Sequence, residues 1–170
     1  MERICIRIIG SGGQGAITVG KLLGEAAISE KKDAVMTESY SPYITGGWSM
    51  ADIVISGKDI DYPFFSKPDF LIVMSQEGLE IGMKNAGAVL IAEKSLSGLP
   101  KGAIAVPATE ISHSLGKRLL VNMVMLGALV SVSEVLNPNA VKEAIAKRFP
   151  KAVDSNMKAF EKGGQSCLTG

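Results

Sequence analysis

The chain has 170 residues, 46% of them apolar and 21% charged, with a net charge of +1. That is length and apolar mass enough for a domain with its own core, and too little charge bias to hold nucleic acid or an anionic membrane surface. Its two cysteines, Cys5 and Cys167, stand at opposite ends, against a disulfide framework, a zinc site or an iron–sulfur cluster held by this chain alone.

The opening "RICIRIIG" (Arg3–Gly10) is β-rich and predicts a central strand rather than a leader peptide. From Gly15 to Ser29 the period turns helical, with Ala16, Val19, Gly20, Leu23 and Ala27 on one face. "AVMTES" (Ala34–Ser39) predicts a second strand, and a βαβ opening favours a parallel pair with a right-handed crossover. Strands follow at Trp48–Ser56 and Asp69–Ser75, a short helix over "QEGLEIGMKN", and two short strands in "GAVLIAEK" and "GAIAVPA". The remainder reads as helix: "ATEISHSLG", "RLLVNMVMLGALVSVSEVL", a segment capped by Asn137 with Pro138 in its first turn, and "VDSNMKAFEKGG". The most apolar run, Leu119–Val132, has 14 residues and is too short to span a bilayer. The expectation is a single three-layer α/β/α domain over residues 1–170, with a mixed, largely parallel sheet and a Rossmann-like opening. A cytoplasmic location is expected.

Between the first strand and helix lies "GSGGQG", with glycines at Gly10, Gly12, Gly13 and Gly15. The spacing satisfies the dinucleotide fingerprint, and Glu38 could serve as its ribose-binding acid. Glycines let a ligand approach the backbone, and bare N–H groups at a helix start favour an anion. No Asp or Glu lies between Gly10 and Lys21. The loop is more glycine-rich than that fingerprint needs, and no second βαβαβ half follows. Close packing of helix on strand is the alternative reading.

All three tyrosines, the only tryptophan and two of five phenylalanines lie between Tyr40 and Phe65. The loop "YSPYITGG" (Tyr40–Gly47) follows a strand end, as the glycine loop does, and ligands of open α/β sheets bind at that edge. Its aromatics suit a partner or ligand surface, or a cover for the core. Acid–base and nucleophilic groups are scarce. His113 has no Cys or Asp partner nearby in sequence, Ser11 has no visible base, and Glu77 with Glu80 has no metal-ligand spacing. Met74, Met123 and Met125 read as core filler, and Asn122 as a buried polar group in need of a hydrogen bond.

Taken together, these segments resemble the gamma subunit (domain III in fused forms) of the 2-oxoacid:ferredoxin oxidoreductases. "GSGGQGAITVGKLLGEAA" is similar to that family's G-x-G-G-Q-G loop and helix, and "TESYSPYITGGWSMADIVIS" to its second block. "IDYPFFSKPDFLIVMSQE", "KRLLVNMVMLGALVS" and "SNMKAFEKG" follow the family pattern in order. The resemblance implies a subunit without independent activity in an enzyme that oxidatively decarboxylates a 2-oxoacid to an acyl-CoA and passes electrons to ferredoxin. It implies alpha, beta and ferredoxin-like delta partner subunits, with thiamine diphosphate and [4Fe–4S] clusters on them and coenzyme A as co-substrate. By position it carries Gly10, Gly12, Gly13, Gln14, Gly15, Tyr40, Pro42, Gly46 and Gly47 over as candidate binding residues. Where the family often has Gly, Glu and Arg, this chain has Ser41, Tyr43 and Thr45, so those charges cannot contact an anion here. A free-standing NAD(P)-dependent oxidoreductase and an anion- or CoA-binding module are the alternatives.

Overall fold

A computed structural model describes residues 3–42, 46–85 and 89–167; Tyr43 and Thr45 lie outside them. The strands are β1 (Ile4–Ser11), β2 (Asp33–Tyr40), β3 (Trp48–Ser56), β4 (Phe70–Val73), β5 (Val89–Glu93) and β6 (Ile104–Val106). The helices are α1 (Ala16–Ser29), α2 (Gln76–Gly82), α3 (Ala108–Ser114), α4 (Val121–Ser133), α5 (Pro138–Arg148) and α6 (Val153–Ser166). One six-stranded sheet runs β2-β3-β1-β4-β5-β6. The pairs β1–β4, β4–β5 and β5–β6 are parallel, and β3 is antiparallel to both β1 and β2. The α/β class and the mixed, largely parallel sheet are as expected.

The β1–α1–β2 unit is not the adjacent parallel pair its pattern suggests. β2 runs in the direction of β1, but β3 is inserted between them, pairing Ile53 with Ile6 on one side and with Met36 on the other. A short β2–β3 connection makes the hairpin partner available before the crossover partner, and the hairpin takes the place beside β1. At about 4.8 Å per strand, the tip of β2 therefore lies about 10 Å from β1 rather than next to it.

The sheet's two faces are covered unequally. Ile6, Ile8, Ile53, Ile55, Ile72 and Ile91 point to the side carrying α1 and α3–α6, where they form the main core. Ile9, Leu71, Val73, Leu90 and Ala92 point to the other side and meet Leu79 of α2. Period-two alternation along each strand produces this division. In α4 every residue from Asn122 to Val130 is buried, so this stretch has no solvent face. It closes on α6 backbone to backbone: a Cβ at Gly127 would lie 1.9 Å from the Phe160 carbonyl oxygen, and one at Gly163 would lie 1.9 Å from that of Val124.

On the α2 side, Arg7 and Asp52 face each other across β1 and β3. Arg7 Nε donates to Asp52 Oδ1 at 2.7 Å and Nη2 to Oδ2 at 2.5 Å, and the Phe65 ring lies 5.3 Å from the guanidinium carbon. Both side chains are nearly buried, at 11% and 13% exposure, so each charge depends on the other. Asp52→Asn is expected to cost about 2 kcal/mol in chemical denaturation, from the loss of a charge-assisted bidentate contact. The double variant Arg7→Met/Asp52→Leu should recover most of it, because no lone charge remains buried.

Candidate functional site

The glycine loop turns the chain from the end of β1 into α1. Ser11 N–H donates to Gln14 Oε1 at 2.7 Å, while Gln14 Nε2 donates to the Met74 carbonyl at the end of β4, at 3.0 Å. The Gln14 amide thus ties the loop to the neighbouring strand. Gly10 lies beneath that side chain, where a Cβ would come within 2.8 Å of Oε1. Gly13 and Gly15 both adopt φ +86°, a conformation that favours glycine. A Cβ at Gly15 would also lie 2.3 Å from Asn122 Nδ2. Gly12 has neither constraint: its φ is not positive, and a Cβ there would meet only the Gly47 carbonyl oxygen, at 3.5 Å.

Among the described residues, the second loop closes on the first through the hydrogen bond from Gly12 N–H to the Gly47 carbonyl, at 2.7 Å. Between them opens a cleft of about 400 Å³ lined by Gly12, Gly13, Gly15, Tyr40, Gly46 and Gly47, together with the first turn of α1. Six of the nine carried-over residues therefore meet in one place. Gly10 is buried below it, Gln14 braces it from behind, and Pro42 is exposed outside its lining.

The first turn of α1 supplies donors. Gly12 and Gln14 direct their N–H groups to Gly47 and Ser11, but those of Gly13, Gly15, Ala16, Ile17 and Thr18 have no partner among the described residues. No acid stands in that turn, so the positive end of a 14-residue helix is uncompensated. Sequence reasoning read Asn122 as a buried polar group in need of a hydrogen bond and did not place it at the site. It is only 8% exposed, and its Oδ1 accepts the N–H of its neighbour Met123 at 3.0 Å. Its Nδ2 has no acceptor among the described residues and opens onto a second cleft of about 460 Å³, behind the loop, shared with Gln14, Lys117 and Asn156. The one legible signal was a polar residue inside an otherwise apolar run.

Glu38 does not stand ready for a ribose. Tyr40 Oη donates to Glu38 Oε2 at 2.5 Å, and Lys21 Nζ lies 3.2 Å from Oε1. The Tyr40 hydroxyl first, and Lys21 second, hold the Glu38 carboxyl below the usual carboxylate range, and the same bond raises the Tyr40 hydroxyl. With β3 interposed, Glu38 also sits two strands from the glycine loop. His113 is exposed on α3, and among the described residues no three His, Cys, Asp or Glu side chains converge as metal ligands. A larger hollow, about 670 Å³, lies at the far end of the sheet beside Arg3, Lys58 and Tyr62, away from both loops. No described helix is long and apolar enough to cross a membrane.

This arrangement has relatives. A family profile described as "Pyruvate ferredoxin/flavodoxin oxidoreductase" matches residues 5–166. The "2-oxoglutarate synthase subunit KorC" of Methanocaldococcus jannaschii is 37% identical over 169 residues, covering 93% of this chain and 90% of that one. The "Pyruvate synthase subunit PorC" of the same organism is 32% identical over 164 residues, covering 92% of each. Among solved structures, a keto/oxoacid ferredoxin oxidoreductase gamma subunit from Geobacter sulfurreducens superposes with a TM-score of 0.86 at 31% identity, covering 98% of this chain and 99% of that one.

Proposed function

Because the chain belongs to the pyruvate ferredoxin/flavodoxin oxidoreductase family, as a gamma-type subunit of a multi-subunit 2-oxoacid:ferredoxin oxidoreductase, we propose that its glycine cleft forms one wall of the coenzyme A site of the assembled enzyme. The observation that carries this reading is the set of N–H groups of Gly13 and of Gly15 to Thr18, unpartnered among the described residues, at the unneutralised start of α1. Backbone donors fixed by the fold suit the pyrophosphate of a CoA, which they can orient without reorganising. Asn122 Nδ2, on the other side of Gly15, adds a side-chain donor. Tyr40, Gly46 and Gly47 form the opposite wall.

This chain's part is to bind and orient. Its two cysteines cannot supply the four thiolates of a cubane cluster, and no metal-binding trio is present among the described residues. On this reading thiamine diphosphate and the [4Fe–4S] clusters belong to alpha, beta and ferredoxin-like delta subunits, through which ferredoxin is reached. Residues 1–170 serve as one gamma-subunit domain in a cytoplasmic complex. Greater identity to the 2-oxoglutarate subunit than to the pyruvate one favours 2-oxoglutarate as the acid. An NAD(P)-dependent enzyme is disfavoured by the family and by the engagement of Glu38.

Charge at the loop tests the reading. A Cβ at Gly13 meets nothing within 4 Å, and Asp and Asn enter its positive φ more readily than other side chains, so the backbone strain is shared by both variants and cancels between them. In the purified complex, Gly13→Asp should raise the KM for CoA about tenfold over Gly13→Asn, a difference of about 1.4 kcal/mol, with the KM for the oxoacid unchanged. Equal KM values for CoA in the two variants would refute a CoA-facing loop. Running the assay with 2-oxoglutarate and pyruvate decides the acid.

A further inference from the structure

The second cleft, behind the glycine loop, has a chemistry of its own. Three helices begin at it: α1 through Gly15 and Thr18, α4 through Val121 and Asn122, and α6 through Ser155 and Asn156. They have 14, 13 and 14 residues, and neither α1 nor α4 carries an acid in its first turn. Asp154 of α6 is exposed and lies outside the lining. Three positive helix ends therefore border one hollow, and Lys117 is the only charged residue among its described lining. Such a hollow favours an anion.

Two buried amides border it as well. Asn122 is 8% exposed and Asn156 is 7% exposed. Each is held by the backbone at one end: Asn122 Oδ1 accepts the Met123 N–H at 3.0 Å, and Asn156 Nδ2 donates to the Ala152 carbonyl at 2.8 Å. Those bonds decide which way each amide faces. They leave a donor, Asn122 Nδ2, and an acceptor, Asn156 Oδ1, and no described residue bonds to either. Neither atom is sealed in, because among the described residues no enclosed side-chain polar atom lacks a partner. The open space that both residues line is this cleft. Lys117 Nζ donates to Ser155 Oγ at 3.1 Å, which anchors it at the start of α6 and leaves two of its three N–H bonds for a ligand.

We propose that this cleft takes the ribose 3′-phosphate of coenzyme A, with Lys117 and Asn122 Nδ2 on the phosphate and Asn156 Oδ1 on the neighbouring 2′-hydroxyl. This rests on the CoA-site reading and deepens it. Gly13, Gly15 and Thr18 line both clefts and form the ridge between them. A ligand seated on both sides of that ridge needs two separate phosphate groups on one scaffold. CoA has them, a pyrophosphate on the ribose 5′-oxygen and a monoester on the 3′-oxygen. A bare phosphate dianion offers acceptors alone and leaves Asn156 Oδ1 unmatched, whereas the 2′-hydroxyl beside the 3′-phosphate supplies the donor. Leu119, 83% exposed, and Phe149 give the cleft an apolar side for the nucleoside.

Titration calorimetry of the purified complex with CoA and with 3′-dephospho-CoA tests this. The unaltered complex should bind CoA about tenfold more tightly, the scale of one charge-assisted contact. Lys117→Gln, at an exposed position, should weaken CoA about tenfold and leave dephospho-CoA within about twofold, while Lys117→Arg should keep the preference. Gly13→Asp, read against Gly13→Asn, should weaken both ligands and so separates the two readings. If it does so while Lys117→Gln changes neither ligand, or both alike, the CoA wall stands and the 3′-phosphate site falls. If Gly13→Asp equals Gly13→Asn on both ligands, the CoA wall falls and this site with it. Loss of a subunit from the Lys117→Gln complex would make the cleft a partner's docking surface and would also overturn the proposal.

Discussion

Replacing Gly127 by alanine is expected to cost more than about 3 kcal/mol of folding stability, beyond the usual penalty for adding one methyl group to a core. The reason is what the methyl would meet. At 1.9 Å the obstacle is the Phe160 carbonyl oxygen, and Phe160 C and Gly164 N lie within 3.0 Å. A side chain can swing aside, but here two helical backbones must separate, and both carry buried residues of the main core. Gly163→Ala should behave alike, through Val124. Urea denaturation monitored by far-ultraviolet circular dichroism measures the loss. A change within about 1 kcal/mol would mean that α4 and α6 can part at little cost. Gly164→Ala is the control: its Cβ would come no closer than 3.4 Å to anything.

Gly12→Val should have the opposite profile. Its Cβ meets only the Gly47 carbonyl, at ordinary van der Waals distance, so the isolated chain should keep its stability within about 1 kcal/mol. In the complex, the same side chain would fill the cleft between the two loops, and turnover should fall about 100-fold, the scale of a misplaced reactant. Gly15→Val should instead fail at the level of folding, because φ +86° and the Asn122 amide both exclude it. Thermal unfolding of the chain and turnover of the complex, measured on both variants, separate the roles. If Gly12→Val melts as early as Gly15→Val, the loop is packing alone.

The difference between these glycines shows where the sequence could be read and where it could not. The strand alternation of Ile6 and Ile8, the helical period from Ala16 to Ala27 and the Asn137–Pro138 start of α5 are local patterns, and each appears in the structure where the pattern places it. The position of β3 is not local. A hairpin strand and a crossover strand compete for the same edge of β1, and the pattern of either is compatible with both outcomes. The site divides the same way. The two loops could be identified from their glycines and aromatics, and they meet at one sheet edge through Gly12 and Gly47. That Gln14 would act as a brace and not as a lining residue of that cleft depends on Met74, 60 residues away. That Asn122 would press on Gly15 depends on how α4 enters the core. Gly127 and Gly163 look in sequence like ordinary weak points of a helix, yet they are what lets α4 and α6 touch.

The buried stretch of α4 from Asn122 to Val130 also bears on how the chain is made. Synthesis runs from the amino end, so α4 leaves the ribosome well before α6, the helix against which its backbone closes. During that interval the face of α4 that α6 covers stays exposed, while α1, α3, β4 and β5 can already pack on the rest. The nascent chain is then most vulnerable to wrong association, and a holding chaperone would find its natural client in the stretch from Asn122 to Val130.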